Sequence, residues 1–235
     1  MAKQVTREPK LAKPHLSPRP PQGTAREVSL ALASIQKSIE TKQRFSRECL
    51  NEVVEMAHEV TDALSEGRMV AFFGNGGSAA DAQHIAAELI GKFKKERPPL
   101  NAIALTSNTS ILTAIGNDFD FDEIFSRQVR ANLDEGDIAV GISTSGRSKN
   151  VILGVQEARK IGAKTIALTG GDGGQLAPLC DLKVIVPSSD TQRIQECHIM
   201  IGHVVCELVD DALGSTSQIG RYQIRRNRTT RSTSS

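Results

Sequence analysis

Residues 74–78 read Gly-Asn-Gly-Gly-Ser and directly follow an apolar run, Met69 to Phe73. Glycines let backbone N–H groups approach an anion closely, and a helix N-terminus adds partial positive charge. A buried strand, this small-residue turn and a helical segment from Ala79 to Ile90 therefore make a phosphate-binding arrangement. A second polar turn, Ser143-Thr144-Ser145-Gly146-Arg147-Ser148, follows the run Asp137 to Ile142. Its hydroxyls can bond phosphate or sugar oxygens. Two such loops in one chain point to a phosphorylated, hydroxyl-rich ligand.

His84 and Glu88 are four apart on the helix after the first turn, so they share a face. An imidazole and a carboxylate so placed can bind a metal or pair a base with a partner; as a surface charge pair they would contribute little. Gln195, Glu196, His198 and His203 lie on the last helical segment. Gln195 and His203 are about 12 Å apart along a straight helix and some 80° apart around it. One unbroken helix could hardly bring both to one ion. If both join His84 and Glu88, more than one subunit contributes, which implies a homo-oligomer with sites at its interfaces. Arg193 and Glu196 read most simply as solvated charges, and Cys197 and His198 as packing residues. Asn117 and Asp118, in Gly116-Asn117-Asp118-Phe119, suit a turn and are also good partners for sugar hydroxyls. The glycine-rich turn 170–174 reads as backbone geometry.

The elements that carry these residues alternate. Strands are expected at 69–73, 101–105, 137–142, 164–168 and 182–186, with helices at 79–90, 108–116, 122–132, 148–160, a short one near 174–178, and 190–213. Short apolar strands separated by helices predict an α/β fold with a parallel sheet covered on both faces, whose ligands bind at the strands' carboxyl ends. From Glu27 the chain reads as a helical arm, with one stripe at Val28, Leu32, Ile35 and Ile39 and a second from Leu50 to Leu64 ending near Gly67. Such an arm packs on the domain or on another subunit.

The chain has 235 residues, 39% hydrophobic and 24% charged, which suits one α/β domain with appendages. Residues 1–26 contain five of the nine prolines and a net charge of +5, and residues 221–235 carry another +5. Both are expected to be disordered basic tails flanking a domain at 27–220. That domain is then net −8, which argues against a nucleic-acid partner. No apolar run approaches the ~20 residues of a membrane helix, and the N-terminus lacks a signal-peptide core, so no membrane association and a cytoplasmic location are expected. Cys49, Cys180, Cys197 and Cys206 form no C-x-x-C pair and read as free thiols.

Taken together, Phe73 to Ser78, Asp81 to His84 with Glu88, Gly116 to Phe119, Gly141 to Gly146 with Ser148, Leu168 to Gly170, and Arg193 to Glu196 with His203 resemble the sugar isomerase (SIS) domain, and more closely its phosphoheptose isomerase branch. The resemblance implies a three-layer α/β/α domain with a central five-stranded parallel sheet, assembled as a homotetramer. It implies conversion of D-sedoheptulose 7-phosphate to D-glycero-D-manno-heptose 7-phosphate through an enediol, the first step toward nucleotide-activated heptose for surface lipopolysaccharide. By matching position, Ser143, Thr144, Ser145 and Ser148 would hold the phosphate, and Asn75, Gly76, Gly77, Asn117 and Asp118 would contact the sugar, with Glu88 and Gln195 also facing it. His84, Glu88, Gln195 and His203 would bind zinc, and Glu88 and His203 would be the acid/base pair. Two alternatives share the loops: a non-catalytic relative serving as a replication-initiation scaffold or sugar-phosphate sensor, and an isomerase of another sugar phosphate. The presence of all four proposed metal-binding residues favours an enzyme.

Overall fold

The computed structural model describes residues 23–214. The expected tails therefore lie outside the described residues, except for residues 23–26. The first helix, α1 (Ala25–Glu48), starts two residues before the expected position. The cause is a capping box: Thr24 N–H donates to Glu27 Oε2 at 2.6 Å, and Glu27 N–H donates to Thr24 Oγ1 at 3.3 Å. The chain divides into two units, Met1–Gln36 and Lys37–Ser235. Within the first, the stripe residues Leu32 and Ile35 are exposed by 62% and 57%, and Leu30, off that stripe, by 62%.

The second unit continues from Lys37 into α2 (Leu50–Ser65), β1 (Val70–Gly74), α3 (Gly77–Ile90), β2 (Ala102–Ala104), α4 (Thr109–Asp118), α5 (Ser126–Asn132), β3 (Ile138–Ile142), α6 (Lys149–Ile161), β4 (Lys164–Gly170), β5 (Leu182–Val186) and α7 (Thr191–Leu213). All five strands are parallel, in the order β2-β1-β3-β4-β5. Side chains alternate across a strand, so Val70 and Phe72 enter one core while Ala71 and Phe73 enter the other. Helices α2, α3 and α7 cover the first face, and α5 and α6 the second. This is the three-layer α/β/α architecture.

Two short elements differ from expectation. The segment 122–132 opens as a 3-10 turn, Phe121–Glu123, because Asp120 Oδ1 accepts from Asp122 N–H at 2.8 Å and sets a tight turn before α5. The segment near 174–178 is likewise a 3-10 turn, Ala177–Leu179. β4 extends to Gly170, because Thr169 and Gly170 pair with Ile185 and Val186 of β5.

Candidate active site

β1 and β3 are neighbours, although β2 lies between them in sequence. The chain leaves β1 to one side and returns on the other, and such a switch point opens a crevice at the strands' carboxyl ends. Gly74 pairs with Ile142, so the two polar loops begin side by side. They are then tied across the crevice. Asn75 Nδ2 donates to Asn150 Oδ1 at 2.8 Å, and Asn150 Nδ2 donates to Asn75 Oδ1 at 2.9 Å. Asn150, on the first turn of α6, is buried and was not among the sequence candidates. Its partner lies 75 residues away, so no local spacing marks it.

In the second loop the Ser143 and Ser148 hydroxyls are 3.0 Å apart, and Ser145 Oγ accepts from Arg147 N–H at 3.2 Å. Ser148 occupies the N-cap of α6 with no side-chain bond to the first-turn N–H groups, of which that of Val151 is taken by Asn150 Oδ1 at 2.9 Å. Gly146 has φ +61°, and a Cβ there would collide with the backbone of Gly173 and Gly174. The loop is therefore pressed against the turn after β4, and Arg147 reaches Asp172 of that turn at 2.7 Å. Thr144 is half-buried and Ser145 exposed.

A second group of residues lies on α3 and α7. His84 Nε2 is 2.9 Å from His203 Nε2 and 3.2 Å from Glu88 Oε1. One ligand atom from each of the three lies within 4.8 Å of the others. α3 and α7 can approach because Gly202 has no side chain; a Cβ there would run into Ile85. Gln195 is placed elsewhere. Its side-chain amide lies over Gly77, in the space a Cβ at that position would fill. Gly77 begins α3, and His84 stands about 10 Å further along that helix. One chain thus joins three of the four expected metal-binding residues and holds the fourth at the mouth of the loops.

Gly76 is the N-cap of α3 and is exposed. Asn117 and Asp118 form the exposed last turn of α4, with Asn117 Nδ2 donating to Asp118 Oδ1 at 2.8 Å. No hydrogen bond among the described residues ties them to the loops. The segment just beyond them returns toward the site, since Asp122 pairs with Lys149 of α6 at 2.6 Å.

Two buried groups near the site have shifted pKa values. Burial raises the Asp81 carboxyl to about 6, with His84 acting in the opposite direction. Asp81 Oδ2 has no hydrogen-bond partner. Burial also lowers the His198 imidazole to about 4, against the effect of its bond to Thr169 O at 3.1 Å.

This fold and this pair of loops define a class of phosphosugar-handling α/β domain. The family model of the SIS domain matches residues 34–170, more than half of the chain, so the chain belongs to the SIS domain family. The match ends before α7, which carries Gln195 and His203. Similarity to whole proteins extends further. The chain is 57% identical over 176 residues to the phosphoheptose isomerase of Aquifex aeolicus, covering 75% of this chain and 92% of that one. It is 58% identical over 151 residues to that of Nitratiruptor sp., covering 64% and 81% respectively. The solved structure of the phosphoheptose isomerase from Neisseria gonorrhoeae superposes with a TM-score of 0.74 at 45% identity, covering 80% of this chain and all of that one. Within the SIS family the chain belongs to the phosphoheptose isomerases.

Proposed function

We propose that the protein isomerises D-sedoheptulose 7-phosphate to D-glycero-D-manno-heptose 7-phosphate. The observation that carries this reading is the convergence of His84, Glu88 and His203 in a fold that also presents the serine loop. The phosphate sits against Ser143, Thr144, Ser145 and Ser148 and the start of α6. Asn75, Gly76, Gly77, Asn117 and Asp118 contact the sugar. Moving the carbonyl from C2 to C1 requires a base to take a proton from C1, an acid to protonate the oxygen on C2, removal of the hydroxyl proton on the C1 oxygen by the conjugate base of that acid, and a return of the first proton to C2. A carboxylate and an imidazole suit these roles. Glu88 takes and returns the carbon-bound proton, and His203 handles the oxygen-bound one.

The residues fit zinc. Two imidazole nitrogens and a carboxylate oxygen are among its usual donors. The two Nε2 atoms lie 2.9 Å apart, close enough to share a proton or to turn together onto one cation. Bound there, zinc would polarise the ketose oxygen and stabilise the charge that develops on it. Gln195, held over Gly77 at the loop mouth, would supply a fourth donor by meeting the trio of another subunit.

The assembly is a homotetramer. The exposed stripe positions Leu32 and Ile35 support self-association, because exposed apolar surface marks an interface. No helix among the described residues is long and apolar enough to cross a membrane. Cytoplasmic residence, and use of the product for nucleotide-activated heptose in lipopolysaccharide synthesis, belong to the same proposal. The test is turnover of sedoheptulose 7-phosphate by purified protein, followed by NMR, before and after chelation and again after zinc is restored. Activity that survives complete chelation removes the metal from the reading. No turnover in the zinc-loaded oligomer removes the substrate.

A further inference from the structure

The outer end of α3 is held by a buried ion pair. Arg97, in the segment after α3, donates from Nε to Asp210 Oδ1 at 2.6 Å, and the two side chains are 1% and 2% exposed. The remaining guanidinium donors go to backbone. Nη2 donates to Glu88 O at 3.0 Å, and Nη1 donates to Leu89 O at 2.8 Å and Pro98 O at 3.3 Å. Asp210 Oδ2 accepts from the N–H groups of Lys94 and Lys95 at 2.8 and 3.0 Å. Burial alone would raise the Asp210 pKa, but those N–H bonds and Arg97 outweigh it and hold the carboxyl below its ordinary value.

The last carbonyls of a helix lack partners within it, and a cation there also complements the helix dipole. Arg97 fills that role at Glu88 itself. Asp210 lies seven residues beyond His203 on α7, two turns further along nearly the same face. The pair thus connects the backbone of the proposed base to the helix that carries its imidazole partner. For stability alone the arrangement is a poor choice, since a buried pair is often matched or bettered by apolar residues of similar size. What an apolar pair cannot do is fix the rotation and rise of α3 against α7 through the three directed bonds from Arg97 to Glu88 O, Leu89 O and Asp210 Oδ1.

We propose that Arg97 and Asp210 are positioning residues for the His84–Glu88–His203 centre. They hold the end of α3 in register with α7, so that the Glu88 carboxylate meets both imidazoles. This rests on the metal and acid/base roles proposed above for that trio. The test compares wild type, Asp210→Asn and the apolar double variant Arg97→Met/Asp210→Leu. Each is assayed for thermal unfolding, for zinc affinity by competition with a chelating indicator, and for kcat and KM.

The double variant is expected to melt lower, because the Glu88 and Leu89 carbonyls and the Lys94 and Lys95 N–H groups lose their partners, and, assayed below its melting temperature, to bind zinc about 10–100-fold more weakly, the range for removing groups that orient metal ligands. Its kcat is expected to fall about tenfold or more with KM nearly unchanged, because the phosphate loop is untouched. Asp210→Asn is expected to shift zinc affinity and kcat in the same direction. If the double variant does not fold, Asp210→Asn decides by the same ratios below its melting temperature. Variants that keep wild-type zinc affinity and kcat overturn the inference and leave a purely structural ion pair. A wild-type protein that neither binds zinc nor turns over substrate overturns the functional reading, and the inference with it.

Discussion

The loop mouth at the sheet edge and the side-chain cluster on the α3–α7 face are built in different ways. The mouth is made mainly of backbone: two turns rich in small residues, each between a strand and a helix, joined by the paired amides of Asn75 and Asn150. The cluster is made of side chains. Its members come from two helices, with His84 and His203 119 positions apart. The mouth can bind an anion through groups that every residue carries. The cluster depends on particular residues reaching one point. Substitutions in the mouth should therefore weaken binding by degrees, whereas substitutions in the cluster should stop the chemistry.

The largest effect expected is at Glu88. Glu88→Gln keeps size and hydrogen bonding but removes the base, and kcat should fall by about 10²–10⁴-fold with circular dichroism and assembly unchanged. Activity within tenfold of wild type would place the proton transfer elsewhere.

Next in size is a pH effect at His198, which joins α7 to the end of β4 and so links the two regions. Its pKa is lowered from 6.5 to about 4, so the folded state favours the neutral ring. The stabilisation from that preference is complete above pH 6.5 and is lost as the pH falls toward 4. At one pKa unit per about 1.4 kcal/mol, the loss is on the order of 3 kcal/mol. Urea midpoints at pH 7 and 4.5 should show that decline in wild type and a shallower one in His198→Gln. Equal slopes would mean that the ring is not buried in its neutral form.

The smallest effect is expected in the mouth. Ser145→Ala removes one neutral hydrogen bond, worth about 1 kcal/mol, so KM should rise about fivefold with little change in kcat. An unchanged KM would take Ser145 out of the phosphate site, while a collapse of kcat would erase the distinction between the two regions.

Much of the mouth was legible in the sequence because its requirements are local. The strand end with its glycine turn at 74–78, and the strand end with its run of hydroxyls at 143–148, are each defined within a few residues. The strands at 182–186 and the limits of α7 were readable for the same reason, since apolar periodicity and the Asp190 cap are local. The 3-10 turn at Phe121–Glu123 was not, because a single Asp120 bond outweighs the helical pattern that follows it. Asn150 and Arg97 were missed because their partners lie 75 and 113 residues away, and neither residue type is distinctive at its own position.

By itself, then, the sequence determined the strand–loop–helix units, the residue types that can bind phosphate, and the wide separation of Gln195 and His203 along one straight helix. Only the tertiary structure decided the strand order that sets the loops after β1 and β3 side by side, and the close crossing at Gly202 and Ile85 that brings His203 onto His84. The physical reason is range. Turn and helix preferences act over a few residues of backbone, whereas the meeting of two side chains 119 positions apart depends on how whole layers pack against the sheet.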